Sequence, residues 1–378
     1  MTGVIRPVTA AQYAATETAL ARLLGTERDV ILLQGEALLG LEAAARGIGG
    51  PGRRVLNIIT GPYGLLLGRW LGAGGATVTE LSAPQGQAIT ADQVAAALRT
   101  APTGYDVVAV VHVEASTGIV NPLADIAVLA KRGSALLVVD AVASAGAEPL
   151  AIDDWDLDVV IIGPQKALGG PSGVSAAVLG PRAWEVIEAN PAAPRESILS
   201  LLDWRQAWLR PGRISLPVIP HHLETRALGS ALAALATEGL DQVIRRHRRA
   251  RDATRAGLRA LSFGLYVQDD RQAASVATVA LPPRGIDPGP LLSAASGAAR
   301  AGVADEGAAS PGMIAAAAPG ALADLAIRIN HTGPDAALAP VLNTLTCLGS
   351  ALRALGGSAD VAGAVGAAAE DWSLAASP

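Results

Sequence analysis

The sequence predicts an α/β chain: a large domain built on a mostly parallel sheet of the seven-stranded type, followed by a smaller α+β domain. Three observations predict it. Apolar runs alternate with helical runs from about residue 29 to 180, the pattern of a doubly wound sheet. Two of these runs, Leu136 to Asp140 and Val159 to Lys166, read as buried strands that close on charged residues. The texture then changes at Asn190-Pro191-Ala192-Ala193-Pro194-Arg195, a linker, and helical sequence dominates beyond it.

In order, Ala10 to Leu24 reads as an amphipathic helix, with Leu20, Leu23 and Leu24 on one side. Asp29 to Leu33 is a short strand, and Gln34-Gly35-Glu36 leads into a helix over Ala37 to Arg46. Such a strand–Gly–helix start offers backbone N–H groups to an anion, but Glu36 would repel one. Arg54 to Ile59 is a strand ending at Thr60-Gly61-Pro62-Tyr63-Gly64, where Tyr63 could stack on a flat ligand. Ala76 to Leu81 is the next strand. Thr90 caps a helix with Asp92 and Gln93 in its first turn. Asp106 to Val113 is a buried strand ending at Glu114-Ala115-Ser116-Thr117-Gly118, and Leu123 to Lys131 is a helix. The polar loops after these strands gather along one sheet edge, where open α/β sheets bind ligands.

In the smaller domain, Leu223 to Ala260 is helical with a break near Glu238-Gly239, and its Arg245, Arg246, Arg248, Arg249 and Arg251 predict a solvated face. A strand over 276–281 and a helix over 288–299 come next. Residues 302–320 read as a flexible loop, 325–329 as a strand carrying Arg328, and 336–355 as the final helix. The expected boundaries are 1–239 for the large domain and 240–356 for the small one, with a weakly ordered tail over 357–378.

Composition narrows the function. A chain of 378 residues with net charge −5 and no basic block offers no surface for nucleic acid or an anionic membrane. Cys347 is the single cysteine, which excludes an internal disulfide and fits a reducing compartment. The start of the chain carries no apolar signal region, and no run is apolar enough to span a bilayer. A cytoplasmic protein acting on small molecules, without a metal, is expected.

Of 29 basic residues, only Lys131 and Lys166 are lysines. A lone strand-end lysine is ordinarily a surface charge. In a chain whose routine cation is arginine, Lys166 points instead to chemistry. A lysine desolvated at an apolar strand end becomes an amine nucleophile able to form a Schiff base. Asp140, Lys166, Ser116 or Thr117 and Tyr63 around one edge then fit pyridoxal chemistry. The lysine bonds a flat aromatic aldehyde, the aspartate holds its ring nitrogen, a hydroxyl meets the ring oxygen and the aromatic stacks. The freed lysine amine would shuttle the proton.

The stretches VHVEASTGIVNP, LLVVDAVASAG and VVIIGPQKALGGPSG resemble the class V aminotransferases of fold type I, of the alanine–glyoxylate and serine–pyruvate kind. That resemblance covers roughly residues 10–355. It implies the pyridoxal phosphate transferase fold and a homodimer or higher homo-oligomer. It implies Lys166 as Schiff-base lysine, Asp140 as ring-nitrogen partner, Val142 under the ring and Ser116 near the ring hydroxyl. Tyr63 would stack, Gly35, Glu36 and Gln165 would line the ring's substituents, and Arg328 in IRINHTG would hold the substrate carboxylate.

A narrower resemblance rests on ILLQGEALLGLEAAA, TGPYG, AWEVIEANPAAPRESILSLLDW and IRINHTGP. These are similar to the pyridoxamine–pyruvate aminotransferases. It implies that free pyridoxamine or pyridoxal is bound as substrate with no phosphate required, and that the step belongs to vitamin B6 degradation. Glu36 would suit a neutral hydroxymethyl group, and Gly212 stands where relatives place a phosphate-binding tyrosine of the partner subunit. The alternative is a pyridoxal 5'-phosphate-dependent alanine/serine–glyoxylate (or pyruvate) aminotransferase.

Overall fold

The structure is a computed structural model and describes residues 6–301 and 312–374. The chain divides into two compact units, one of residues 1–113 and 121–240, the other of residues 114–120 and 241–378.

The first unit is organised by seven strands: β1 (Asp29–Leu33), β2 (Arg54–Ile59), β3 (Thr77–Ser82), β4 (Val107–Val111), β7 (Leu136–Asp140), β8 (Val159–Ile162) and β9 (Ser175–Leu179). The short β5 (Val113–Glu114) and β6 (Ile119–Val120) form a separate two-stranded sheet. The seven lie in the order β1-β9-β8-β7-β4-β2-β3. From β3 through β8 every pairing is parallel. Only β9 is reversed, antiparallel to both β8 and β1. β1 therefore runs with the parallel set, and the loops after β1, β2, β4, β7 and β8 leave the same edge. Every residue of β4, β7, β8 and β9 is buried, as strands covered on both faces must be. β3 closes the sheet as an exposed edge with polar residues.

Helices α1 (Ala10–Leu24), α2 (Ala37–Ile48), α3 (Pro62–Ala73), α4 (Ala91–Thr100), α5 (Leu123–Arg132), α6 (Pro181–Ala189), α7 (Leu201–Trp204) and α8 (His222–Glu238) complete this unit. Local signals start them. Thr9 and Thr90 each close a capping box, with Gln12 and Gln93. Pro62 and Pro181 occupy first-turn positions, where no N–H partner is lost. Gly40 of α2 lets that helix sit directly on the sheet: a Cβ there would lie 3.2 Å from both Ile161 Cγ2 and Ser175 Oγ.

The second unit holds an antiparallel sheet of β10 (Gly264–Leu265), β11 (Thr278–Leu281), β12 (Ala315–Ala317) and β13 (Ile327–Ile329). Their order is β10-β11-β13-β12. Around the sheet lie α9 (Leu240–Ala260), α10 (Pro288–Ala301), α11 (Leu338–Ala354) and α12 (Val361–Leu374). Leu258, Phe263, Leu291, Ile327, Leu345 and Leu348 form its apolar core.

Four expectations are corrected. β8 stops at Ile162, so Lys166 lies in the following turn rather than at the strand end; Gly163-Pro164 breaks the ladder because Pro has no N–H to give. Of the loop over 302–320, residues 302–311 lie outside the described residues, whereas Ala315–Ala317 pairs with β13. The stretch after 356 is not a weakly ordered tail over its described length: Val361–Leu374 is helical, with Ala364 and Ala368 fully buried in the core. The arginine face of α9 is not simply solvated: Arg246 donates to the carbonyl of Gly333, Arg251 to that of Ala273, and Arg249 to that of Trp372 while stacking over its ring.

Candidate active site

Asp140 is the last residue of β7, in register with Val111 on one side and Ile161 on the other. It is only 4% exposed. Its Oδ1 accepts the N–H of Val142 at 2.9 Å, and its carbonyl accepts that of His112 at 2.9 Å. A carboxylate buried at a strand end is costly unless it meets donors or a positive partner. That makes Asp140 a suitable holder of a cationic ring nitrogen.

The turn after β8 brings further groups to the same edge. The N–H of Gly170 donates to Pro164 O at 2.8 Å and that of Gly169 to Lys166 O at 3.0 Å, so a tight loop carries the half-buried Lys166. Gly163 is required here for close approach. A Cβ on it would fall 2.5 Å from Val142 Cγ1, 2.8 Å from Gln165 Oε1 and 3.1 Å from Ala37 Cβ. Val142, Gln165 and the first residue of α2 thus converge on one point.

Gly35 and Glu36 lie where β1 gives way to α2. Glu36 is the N-cap: its Oε2 accepts the N–H of Leu38 at 2.8 Å. Its Oε1 accepts the side-chain amide N–H of Gln165 at 2.7 Å. Because Gln165 Nε2 is fixed by that carboxylate, its remaining atom is Oε1, which is buried and has no partner among the described residues. An orphaned acceptor beside a carboxylate fits a hydroxyl donor and opposes an anion. Tyr63 is the second residue of α3 on the same edge and is 36% exposed.

Three groups that sequence reasoning did not assign support this edge. Asn121, 2% exposed, donates through Nδ2 to Thr60 Oγ1 and Val111 O, and accepts the N–H of Ile89 on Oδ1. It thereby ties the ends of β2 and β4 together. His112 follows β4; burial pushes its imidazole down to about 3, so it is neutral, and its Nδ1 has no partner among the described residues. Gly163 is the third. Only the close packing it permits marks it, and that packing is invisible in one sequence.

Ser116 and Arg328 belong to the second unit. Ser116, 2% exposed, donates its hydroxyl proton to Glu114 Oε1. Its oxygen is left as an acceptor, the polarity a ring hydroxyl needs. Thr117 Oγ1 donates to the carbonyl of Glu114 at 3.3 Å. Arg328 is half-buried in the middle of β13, paired with Val279 and Ala316. The structure thus brings Gly35, Glu36, Tyr63, Asp140, Val142, Gln165 and Lys166 to one edge of the first unit, and carries Ser116 and Arg328 on the second.

An open, mostly parallel seven-stranded sheet with a carboxylate after one central strand and a lysine after the next is the fold of the pyridoxal-dependent transferases. The aminotransferase class-V family model matches residues 6–295, and the chain belongs to that family. It is 34% identical over 326 residues to the pyridoxamine–pyruvate transaminase of Mesorhizobium japonicum, covering 86% of this chain and 79% of that one. Its fold is similar to the crystal structure of pyridoxamine–pyruvate aminotransferase from Mesorhizobium loti, with a TM-score of 0.89, 31% identity, and 97% and 90% of the two chains covered. The ureidoglycine–glyoxylate aminotransferase of Bacillus subtilis matches with a TM-score of 0.83 at 26% identity, over 97% of this chain and 92% of that one.

Proposed function

We propose that this chain moves the amino group of pyridoxamine to pyruvate, giving pyridoxal and L-alanine, a step of vitamin B6 degradation. The observation that carries the unphosphorylated reading is the start of α2. Its N-terminal N–H groups are the natural seat of a phosphate, and here the Glu36 carboxylate takes that of Leu38 and is itself buttressed by Gln165. A phosphate dianion would have to displace that carboxylate or sit against it. The neutral hydroxymethyl group of pyridoxal would instead donate to Glu36 or to the orphaned Gln165 Oε1. The arginines beside Gly212 do not offset this, since Arg213 donates to Glu17 at 2.8 Å and Arg210 to Glu188 at 2.6 Å.

When bound, the pyridine ring supplies the electron sink that makes the substrate carbon acidic. In this reading the other steps belong to the chain. Asp140 holds the proton on the ring nitrogen. Val142 and Tyr63 would pack against the ring. Ser116 accepts from the ring hydroxyl. The Lys166 amine would carry the proton between the two carbons. Arg328 grips the carboxylate of pyruvate through its planar fork.

Among the described residues no helix is long and apolar enough to cross a membrane, and we take the enzyme to be cytoplasmic. A homodimer is supported by apolar side chains left bare between residues 198 and 223. Ile198, Ile214 and Ile219 are 75%, 78% and 82% exposed, far more than isolated surface residues need. Ile198 and Val218 also line a cavity of about 570 Å³ with Gln34, the neighbour of Gly35.

The test is amino transfer from pyridoxamine to pyruvate, read as L-alanine, with pyridoxal 5'-phosphate omitted. Turnover supports the reading. Turnover only after the phosphate is added, with alanine or serine donating to glyoxylate or pyruvate, replaces it with the phosphate-dependent aminotransferase.

A further inference from the structure

Two buried histidines of the second unit surround the segment that carries Arg328. His331, fully buried, stands two residues after β13. Its Nδ1 lies 3.0 Å from the carbonyl of Ser275 and its Nε2 2.9 Å from Thr278 Oγ1. A carbonyl only accepts, so Nδ1 carries the proton and Nε2 accepts from the threonine. His247 on α9, also fully buried, repeats the arrangement: Nδ1 lies 2.8 Å from Val243 O, and Nε2 accepts the N–H of Gly333 at 3.0 Å. Arg246, one residue earlier, donates to the carbonyl of the same Gly333. Both termini of the short segment after Arg328 are therefore clamped from distant sequence.

The clamp reaches Ser116 as well. The strip 273–279 that His331 grips also receives the Ser116 loop. Ala274 N–H donates to Gly118 O at 2.9 Å, and Ile119 bridges Ala273. Gly118, with φ +73, packs so closely that a Cβ would lie 3.0 Å from Ala277 O. Arg251 of α9 donates to Ala273 O. Within one unit, the loop of Ser116 and the strand of Arg328 are joined through a single strip of backbone, with His331 between them.

We propose that His331 and His247 are positioning residues that set the Arg328 guanidinium for the carboxylate of the amino acceptor. The inference rests on Arg328 being the carboxylate-binding residue of the reaction proposed above. Neither histidine touches substrate; each acts through the backbone beside Arg328. Loss of His247, which holds only the Arg328 side, thus weakens acceptor binding while leaving pyridoxal binding intact, whereas loss of His331 also disturbs Ser116 through the strip 273–279.

The experiment is steady-state kinetics with pyruvate and pyridoxamine varied separately, on the wild type and on Arg328→Lys, His247→Leu, His247→Gln and His331→Asn. Gln at 247 keeps an acceptor for the Gly333 N–H; Leu does not. Expected is a rise of about tenfold in the KM for pyruvate in His247→Leu, with the KM for pyridoxamine and the spectrum of bound pyridoxal unchanged and with most of the loss recovered in His247→Gln. In the Arg328→Lys background the histidine change adds little, because the effect passes through one group. A pyruvate KM unmoved in folded His247→Leu and His331→Asn, or effects that simply add to those of Arg328→Lys, overturns the inference. Should His247→Leu fail to fold, His331→Asn and its combination with Arg328→Lys decide it. If instead Arg328→Lys leaves the pyruvate KM untouched while the wild type turns over, the Arg328 assignment falls and this inference with it; no turnover in the wild type removes the functional reading itself.

Discussion

The edge of the seven-stranded sheet and the Arg328 segment of the second unit are positioned by different means. At the edge, each residue sits where a strand happens to end: Glu36 after β1, Tyr63 after β2, Asp140 at the close of β7, Lys166 after β8. Parallel pairing aligns the ends of β2, β7 and β8, and the reversed β9 turns β1 to run with them, so topology does the placing. Arg328 lies mid-strand in β13, and the turn after it is set by His247, Arg246 and the strip around Ser275. The residues of the edge can therefore be placed by where the strands end, whereas the Arg328 side depends on buried contacts made far along the chain.

The largest effect that sharpens this contrast is chemical. Lys166→Ala should cut amino transfer by about 10⁴-fold or more while leaving the melting temperature nearly unchanged, because the residue is half-buried in a turn. Kinetics and thermal unfolding on one preparation check it. A large loss of stability would mean that the edge is held by its side chains after all.

Next comes pH. His112 in the first unit and His331 in the second are both held near 3 by burial, against 6.5 when exposed. The unfolded chain binds the extra protons, so stability is full above about pH 6.5 and is lost as pH falls toward 3. At pH 5 the loss is on the order of 2 kcal/mol per histidine. Denaturant unfolding at pH 7.5 and 5.0 measures it, and His331→Asn should remove one histidine's share of the slope. A slope unchanged by that substitution would show that His331 is not the buried neutral group described.

These two predictions differ in what a sequence makes visible. The alternation of apolar runs and helical starts exposes the sheet, and the scarcity of lysine singles out Lys166. The cap read at Thr90 is equally legible, since Thr90 and Gln93 lie three residues apart. The reversal of β9 is not, because a buried antiparallel strand has the same apolar composition as its parallel neighbours. Nor are the roles of Asn121, Gly163 and His331 visible, since each partner lies elsewhere in the sequence. The arginines of α9 mislead for the same reason: charge pattern alone cannot distinguish a solvated arginine from one such as Arg246 that holds a carbonyl 87 residues away.

A smaller effect tests the α2 terminus. Glu36→Ser should raise the affinity for pyridoxal 5'-phosphate about tenfold, because the capped N–H of Leu38 becomes available to the phosphate and a negative charge is removed. Equilibrium binding measures it, and an unchanged affinity would separate Glu36 from phosphate exclusion. The smallest is Thr9→Ala, which should cost about 1 kcal/mol by opening the capping box of α1. It should leave both substrate KM values alone; a change in either would couple this remote helix start to the site.

The most direct measurement is an absorbance titration of the purified protein with pyridoxal and, separately, with pyridoxal 5'-phosphate, using Lys166→Ala as the control. The account predicts tight, Lys166-dependent binding of pyridoxal and feeble binding of the phosphate ester, since Glu36 and Gln165 present acceptors where the ester would place its charge. Tighter binding of the phosphate ester would contradict it.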